Sequence, residues 1–278
     1  MPTPLCAAEL LVLQGADASA FAHAQFCSDV NSLALGDWQW SAWLDAQGRV
    51  RNFFALLRAE PSTLFAWLPL GGADTMRAEL ARYVMRAAVK LETRSWMLHT
   101  LEAAELTQMP KPHQVIVHAE GVALMQPGTP DRVAWLAPTT DAFPDTEALH
   151  RWRLADIENG LPLLAPELAG EFVAQALDLE RVGAIAFNKG CYPGQEIVAR
   201  LHFRGGNKYR PHRLRIHAAQ APQGTAIVDD TGRSIGRILY GVTTAANESV
   251  ALAVLSRLQA LESGCSTATG ETVEELIK

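Results

Sequence analysis

The residues best suited to chemistry in this chain lie in one octapeptide. Residues 189–196 read KGCYPGQE, which places the thiol of Cys191 two positions from the ammonium of Lys189. Pro193 presets the φ of a turn at about −65°, and Gly194 accepts the positive φ that a type II turn requires next. A neighbouring cation favours the thiolate form of a cysteine. The sequence therefore predicts a tight polar loop with Cys191 as its reactive or ligand thiol; an ordinary surface turn is the alternative.

The composition is that of a globular protein. Its 278 residues are 49% hydrophobic and 19% charged, enough for two or three domains with their own cores. No apolar run approaches the roughly 18–20 residues of a membrane span. The N-terminal apolar stretch lacks a basic region and contains Glu9, so we expect no signal peptide.

The four cysteines are widely separated and include no CxxC pair. This spacing argues against a structural zinc site and a disulfide framework, and it is typical of the reducing cytoplasm. One cysteine cannot hold an iron–sulfur cluster, which normally needs four ligands. We therefore expect no resident metal, and we expect Cys6, Cys27 and Cys265 to be buried small residues.

Charge is unevenly distributed. Residues 189–217 carry seven cations and one acid, Glu196, for a net charge of +6 in a chain whose net charge is −6. Such an excess indicates an anionic ligand or a local contact with RNA, although a solvated strand face would look the same. The cations are Lys189, Arg200, Arg204, Lys208, Arg210, Arg213 and Arg215.

Hydrophobic periodicity predicts an α+β fold. Alternating or short apolar runs predict strands at residues 10–13, 38–44, 50–57, 64–68, 115–117, 122–125 and 133–136. Helices are predicted from Asp17, as its N-cap, through Phe21 to Phe26, after Gly72 with Met76, Leu80, Tyr83 and Val84 on the buried face, and from Thr146 toward Gly160. Residues 197–201 are too short to assign. Short strands at 213–216, 226–228, 234–239 and 250–255 predict a small C-terminal barrel or sandwich.

The octapeptide, continued by IVAR and FRG, resembles the K-G-C-Y-x-G-Q-E signature of the YgfZ-type folate-binding proteins. These are relatives of the glycine-cleavage T-protein, an aminomethyltransferase, and family members act in iron–sulfur cluster assembly or repair. Trp152 with residues 156–162 is similar to the family's W-x4-I-x-A-G-x-P segment. Residues 15–50 are similar to its G-x-D, Q-x3-D-V and D-x-x-G-[RK]-V patterns. The resemblance spans roughly residues 9–217.

This resemblance implies three modules around a central cavity for tetrahydrofolate or a related reduced folate. The implied domains are a folate-binding core from residues 1–48 and 132–205, a second α+β domain at 49–131, and a C-terminal β-barrel at 206–278. The implied partners are reduced folate and iron–sulfur scaffold or client proteins, with no membrane.

The resemblance also assigns site residues. Cys191 is the functional thiol, and the implied folate-binding residues are Trp152, Glu158, Lys189, Tyr192, Gln195, Glu196 and Arg200. Structural alternatives remain open for most of them. Trp152 is equally a core residue, and Glu158 a surface acid. Arg200 has the i, i+4 spacing of an ion pair with Glu196. Tyr192 is expected to pack beneath the loop, and Gln195 and Glu196 to anchor it.

Two departures from the related transferases bear on activity. Asn52-Phe53 stands where aminomethyltransferases carry a catalytic carboxylate, and neither side chain accepts a proton at neutral pH. Ala8 stands where some relatives have a tryptophan. We therefore predict a tetrahydrofolate-binding accessory factor for iron–sulfur proteins, and we expect no ordinary aminomethyl transfer.

Two rival functions stay open. The first is a folate-dependent one-carbon transferase. The second is an RNA-directed role, because a related folate-binding domain occurs in a tRNA-modifying GTPase. The chain has no GxxxxGK[ST] phosphate loop, so no nucleotide motor is predicted.

Overall fold

The computed structural model describes residues 2–106, 108–118, 120–128, 132–138, 142–256 and 265–276. Eight strands of the N-terminal half form one antiparallel sheet, in the order β2-β3-β4-β1-β5-β8-β7-β6. Their bounds are β1 Thr3–Gln14, β2 Trp38–Leu44, β3 Val50–Glu60, β4 Thr63–Leu68, β5 Lys90–Leu101, β6 Val115–His118, β7 Gly121–Gln126 and β8 Arg132–Pro138.

The two outer strands of this sheet meet. The Trp38 amide donates to the His113 carbonyl at 2.7 Å, and the Val115 amide donates to the Gly36 carbonyl at 2.7 Å. These bonds join the start of β2 to the start of β6. The sheet therefore curls round and leaves little free edge at this end.

The described residues include four α-helices: α1 Ala18–Gln25, α2 Ala73–Leu80, α3 Thr146–Glu158 and α4 Gln195–Arg204. Leu11 and Leu13 of β1 pack on the side that α1 and α2 cover. Leu10 and Val12 point the opposite way, into a larger core that includes Trp152 of α3. Because both faces of β1 are buried at residues 10–13, this part of the strand is a continuous apolar run rather than an alternating one.

The C-terminal segment forms a six-stranded sheet in the order β13-β10-β11-β12-β9-β14. A bridge between Ser266 and Thr272 links its two edges, so the sheet closes into a small barrel. The α+β class and the C-terminal barrel are therefore confirmed. The bounds are β9 Tyr209–Ile216, β10 Ala226–Val228, β11 Ser234–Ala245, β12 Glu248–Ser256, β13 Ser266–Thr267 and β14 Val273–Glu275.

The structure adds one strand that was not predicted and corrects two local expectations. The sequence patterns do not predict β5, because its first half is partly exposed and carries charges instead of an apolar alternation. Tyr83 is 51% exposed rather than buried, since α2 ends at Leu80 and a short 3-10 turn follows. Asp17 precedes α1, but its carboxylate accepts from the Ala88 amide at 2.7 Å and not from an amide of the helix.

The eight-stranded sheet uses strands from both of the first two predicted domains, and the three-domain division stays a prediction. Among the helices described, none is long and apolar enough to cross a membrane.

Candidate functional site

Lys189 fastens the octapeptide to the end of α1. Its Nζ donates to the carbonyl oxygens of His23 at 2.6 Å, Phe26 at 2.5 Å and Ser28 at 2.8 Å. The last carbonyls of a helix have no partner within the helix, and a lysine is a suitable donor to them. Burial lowers the pKa of Lys189 to about 8, against the opposing influence of Cys27 and Asp29. The ammonium therefore has a structural role in this loop.

Cys27 holds the chain just before the octapeptide. Its Sγ donates to the Ala184 carbonyl at 3.1 Å, and its own carbonyl accepts from the Ala186 amide at 2.8 Å. Complete burial raises the pKa of Cys27 to about 12, so the thiol stays neutral. Cys27 and Cys265 are buried, as predicted, whereas Cys6 is only partly buried.

Tyr192 packs inward beneath the loop. It is 6% exposed, and its ring centroid lies 5.0 Å from the Nζ of Lys189. Burial raises the pKa of its phenol. The phenol oxygen has no hydrogen-bond partner among the described residues. This position agrees with the packing interpretation and leaves one polar atom unsatisfied.

The Pro193-Gly194 turn forms as predicted. Gly194 has φ 78° and ψ −2°, and the Gln195 amide donates back to the Tyr192 carbonyl at 3.2 Å. These are the dihedral angles and the bond of a type II turn. Helix α4 begins at Gln195 immediately after it, which resolves residues 197–201 as helical.

The exposed face of this region carries Cys191, Glu196 and Arg200. The i, i+4 ion pair between Glu196 and Arg200 is absent, and within the described ranges neither side chain has another partner. The loop therefore presents the Cys191 thiol to solvent at the N-terminal end of α4, with an acid and an arginine on the following turns.

Trp152 lies in a buried polar network on α3. The Arg132 guanidinium covers the indole ring at 4.4 Å from its centroid and also donates to Asp156 Oδ1 at 2.8 Å. Arg153 approaches the other carboxylate oxygen at 3.4 Å. Burial raises the pKa of Asp156, although both arginines act in the opposite direction. One face of Trp152 is thus already occupied by a cation.

Glu158 borders a cleft of about 720 Å³ between the end of α3 and the barrel. The cleft is also lined by Arg181 and by Arg210 and Arg213 of β9, whereas Trp152 is not among its lining residues. The structure therefore does not bring Trp152 and Glu158 together at this cleft, and their predicted roles as folate ligands stay predictions.

A histidine forms part of the cleft wall. The Nε of Arg210 donates to His212 Nε2 at 3.2 Å, and because Nε2 accepts this bond, Nδ1 is the ring nitrogen that carries the hydrogen. Nδ1 then donates to Glu275 at 2.5 Å. Within the described part of the chain, the Arg213 guanidinium reaches only the carbonyls of Glu158 and Leu276, at 3.5 Å and 3.4 Å. The two β9 guanidinium groups therefore keep free N–H donors for an anionic group.

Several residues of this cleft carry no sequence signal of their own. The basic segment already contained Arg210, His212 and Arg213, but nothing in the sequence connected Arg181 or Glu275 with them. No group of three or more histidine, cysteine, aspartate or glutamate side chains among the described residues is arranged to hold a metal ion.

The chain has clear relatives among known proteins. It is 30% identical over 202 residues to an uncharacterized protein of Haemophilus influenzae, covering 72% of this chain and 68% of that protein. It is 26% identical over 259 residues to the tRNA-modifying protein YgfZ of Klebsiella pneumoniae, covering 84% and 78%. The corresponding YgfZ of Cronobacter sakazakii is 28% identical over 234 residues, covering 77% and 70%. The chain belongs to the YgfZ family.

The fold agrees with this YgfZ assignment. A crystal structure of the glycine cleavage system aminomethyltransferase T from Bartonella henselae matches 99% of this chain and 86% of that one, with a TM-score of 0.70 and 16% identity. The predicted T-protein-like fold is therefore confirmed. No protein-family model matches the chain. In this YgfZ-type protein, the family signature is the loop that Lys189 fastens to α1.

Proposed function

We propose that this protein is a reduced-folate-binding accessory factor in the assembly or repair of iron–sulfur proteins. The observation that carries the proposal is the cleft of about 720 Å³ at Glu158. Small-molecule sites commonly have volumes of about 300–1,000 Å³. The cleft thus has room for a ligand the size of tetrahydrofolate.

The residues present fit the chemistry of a folate. The pterin ring presents amino and ring N–H donors, and the Glu158 carboxylate is a bidentate acceptor for such a pair. The glutamate tail carries two carboxylates, and guanidinium groups bind carboxylates through paired hydrogen bonds. Arg210 and Arg213 supply these groups on the barrel side. When bound, a reduced folate would supply one-carbon chemistry, and the residues of this chain would bind and orient it.

Calorimetry with tetrahydrofolate tests the folate-binding part of the proposal. Glu158→Gln keeps the shape of the side chain and removes its charge, so we expect binding about tenfold weaker or more, from a charged hydrogen bond of about 1.5–3 kcal/mol. Glu147→Gln is the matched control, because Glu147 is an exposed acid at the other end of α3. Unchanged affinity in Glu158→Gln would place the folate elsewhere.

The predicted stacking role of Trp152 needs its own variant. Trp152→Leu retains an apolar side chain and removes the π face, whose stacking contributes about 0.5–1.5 kcal/mol beyond area burial. A loss of tetrahydrofolate affinity on the full chain would support a ligand contact. An unchanged affinity would identify Trp152 as a core residue beneath Arg132.

Cys191 supports the proposed role in iron–sulfur protein assembly or repair, because it is the exposed thiol of the family signature. A single thiol fits transient contact with a client or scaffold protein better than stable cluster binding. Cells that lack this protein should lose iron–sulfur enzyme activity, under oxidative stress above all. Cys191→Ser should fail to restore it, whereas Cys6→Ser should succeed. Normal activities in several iron–sulfur enzymes of the deleted strain would refute this role.

A one-carbon transferase is the alternative enzymatic function. The residues at positions 52 and 53, where an aminomethyltransferase carries its catalytic carboxylate, disfavour this function. Phe53 is buried and stacks on Trp40 with ring centroids 4.8 Å apart, so it packs the core. Asn52 cannot act as a base. We expect no aminomethyl transfer from the lipoyl carrier to tetrahydrofolate. A turnover of about 1–10 s⁻¹ would favour the transferase.

An RNA-directed role is the second candidate. Two of the relatives are named tRNA-modifying proteins, and residues 189–217 are strongly basic. Binding of RNA oligonucleotides to the purified protein tests that candidate separately from folate.

A further inference from the structure

The cations of residues 189–217 do not form one surface. Lys189 is taken up by three backbone carbonyls. Arg215 lies 3.5 Å from Glu248 and 3.7 Å from Glu274 on the barrel. Arg210 and Arg213 line the cleft at Glu158. The remaining three, Arg200, Arg204 and Lys208, are exposed, and no ion-pair partner for them exists in the part of the chain that the structure describes.

Helix α4 turns most of its surface to solvent. Only Val198 is buried among its ten residues. Arg200 and Arg204 share one face at i, i+4 spacing, and Phe203 lies beside them at i+3. Phe203 is 75% exposed, which is unusual for a side chain of this size. Two unpaired cations and an exposed ring therefore share one side of α4, and Lys208 follows in the turn after the helix; we call residues 200–209 the α4 surface.

The chain after α4 is held in place rather than loose. Asn207 donates to the carbonyls of Gln175 at 2.8 Å and Tyr209 at 2.7 Å, and its Oδ1 accepts from the Tyr209 amide at 3.1 Å. These bonds fix the turn that carries Lys208. Tyr209 adds a second exposed aromatic, 44% accessible, at the start of the barrel.

A pocket of about 290 Å³ opens beside this surface. It is lined by Asp178, Glu180, His202 and the Gly205-Gly206 pair, among others. His202 forms part of its wall, because it contacts Glu180 at 2.8 Å and stacks on Phe187 with centroids 4.0 Å apart. The two carboxylates repel a phosphate but accept hydrogen bonds from the amino group of a neutral base.

We propose that the α4 surface binds single-stranded RNA. Arg200, Arg204 and Lys208 contact the phosphates, Phe203 stacks on a base, and the pocket takes an amino-bearing base against Asp178 and Glu180. Cations that follow a backbone, combined with aromatic rings that accept bases, are the recurring composition of single-strand sites. The inference rests on the second candidate function and is independent of folate binding.

The charge contribution is tested with the purified full chain and a fluorescein-labelled ten-nucleotide oligo(C) RNA, by anisotropy over a range of salt. Each phosphate contact contributes about −0.7 to the slope of log affinity against log salt for a single strand. Arg200→Gln with Arg204→Gln should therefore make the slope shallower by about 1.4. Arg151→Gln, an exposed arginine on α3, should leave it unchanged. An equal effect of Arg151→Gln, or no binding by the unaltered chain at low salt, would overturn the proposal.

Stacking and base recognition separate RNA from an acidic protein partner. Phe203→Leu should weaken binding by about fivefold or more, from the loss of one base stack. Oligo(C) should bind more tightly than oligo(U), which lacks the amino group, and Glu180→Gln should reduce that difference. If Phe203→Leu binds normally and a polyglutamate peptide competes as well as RNA does, the surface is a protein-docking site instead.

Tetrahydrofolate calorimetry on the same variants separates this inference from the folate proposal. Phe203→Leu and Arg204→Gln replace residues with no predicted folate contact, so both variants should bind folate normally, which also reports correct folding. Glu158→Gln should bind RNA normally. Loss of both activities in either variant would contradict two independent sites.

Discussion

Gly194 lies against Gly48 so closely that a Cβ atom on Gly194 would be 2.7 Å from the Gly48 Cα and 2.5 Å from the Asp45 carbonyl oxygen. Gly48 belongs to the turn between β2 and β3, and Gly194 to the turn that starts α4. The contact seats the signature loop on the large sheet. Together with Lys189 at the end of α1, it holds the loop that exposes Cys191.

Replacing Gly194 with alanine should therefore be unusually costly. We expect Gly194→Ala to lower the free energy of unfolding by about 3 kcal/mol or more, from the left-handed backbone and the clash together. Gly232→Ala is the control, because Gly232 has φ 79° with nothing within 4 Å of an added Cβ. It should cost about 1–2 kcal/mol. If urea denaturation gives the same loss of unfolding free energy for both variants, the contact between Gly194 and Gly48 relaxes easily.

Tyr192→Phe should be neutral or stabilising by about 1 kcal/mol, because the phenol oxygen is buried without a partner among the described residues. Tyr240→Phe should instead lose about 1 kcal/mol, since that hydroxyl donates to the Leu161 carbonyl at 2.7 Å. Urea denaturation of both variants gives the comparison. A loss at Tyr192 as large as that at Tyr240 would indicate a hydrogen bond to that phenol.

The buried ammonium of Lys189 predicts a pH dependence of stability. Its pKa is about 8 in the folded chain, below the 10.5 of an unperturbed lysine. Between these values the unfolded chain binds more protons, so stability rises with pH in that window. The unfolding free energy of the unaltered protein should therefore increase from pH 8 to 10.5 relative to Lys189→Met. Parallel curves for the two proteins would show that the three carbonyls hold the pKa at its ordinary value.

Alkylation should select Cys191 over Cys27. Cys191 is exposed, whereas Cys27 is fully buried and burial raises its pKa to about 12, and the thiolate is the reactive form. Mass spectrometry after brief iodoacetamide treatment at neutral pH should find the label on Cys191 first. The free energy of unfolding of Cys191→Ser, measured by urea denaturation, should lie within about 0.5 kcal/mol of that of the unaltered chain. Labelling of Cys27 first would mean that the segment at Ala184 opens readily.

Local sequence signals were sufficient for much of this architecture. Pro193-Gly194 specified its own turn, because the required φ angles are properties of those two residues. The apolar runs of β1, β2, β3 and β4 identified strands, since burial of strand faces leaves a direct mark on composition. The KGCYPGQE signature indicated the YgfZ family, and the relatives confirmed it. Strand β5 could not be predicted, because its exposed half has no apolar pattern.

Only the tertiary structure decided which partners the charged and aromatic residues have. In the sequence, Lys189 neighbours Cys191, but in the fold its ammonium meets carbonyls more than 160 positions away. From the sequence, the Trp152 ring could stack on a ligand, but in the fold the Arg132 guanidinium lies over it. The basic segment of residues 189–217 therefore divides into three parts. Lys189 binds backbone carbonyls, Arg210 and Arg213 line the cleft, and the remaining exposed cations belong to the α4 surface. A charge takes its role from the partners that surround it, and chain folding over long sequence distances selects those partners.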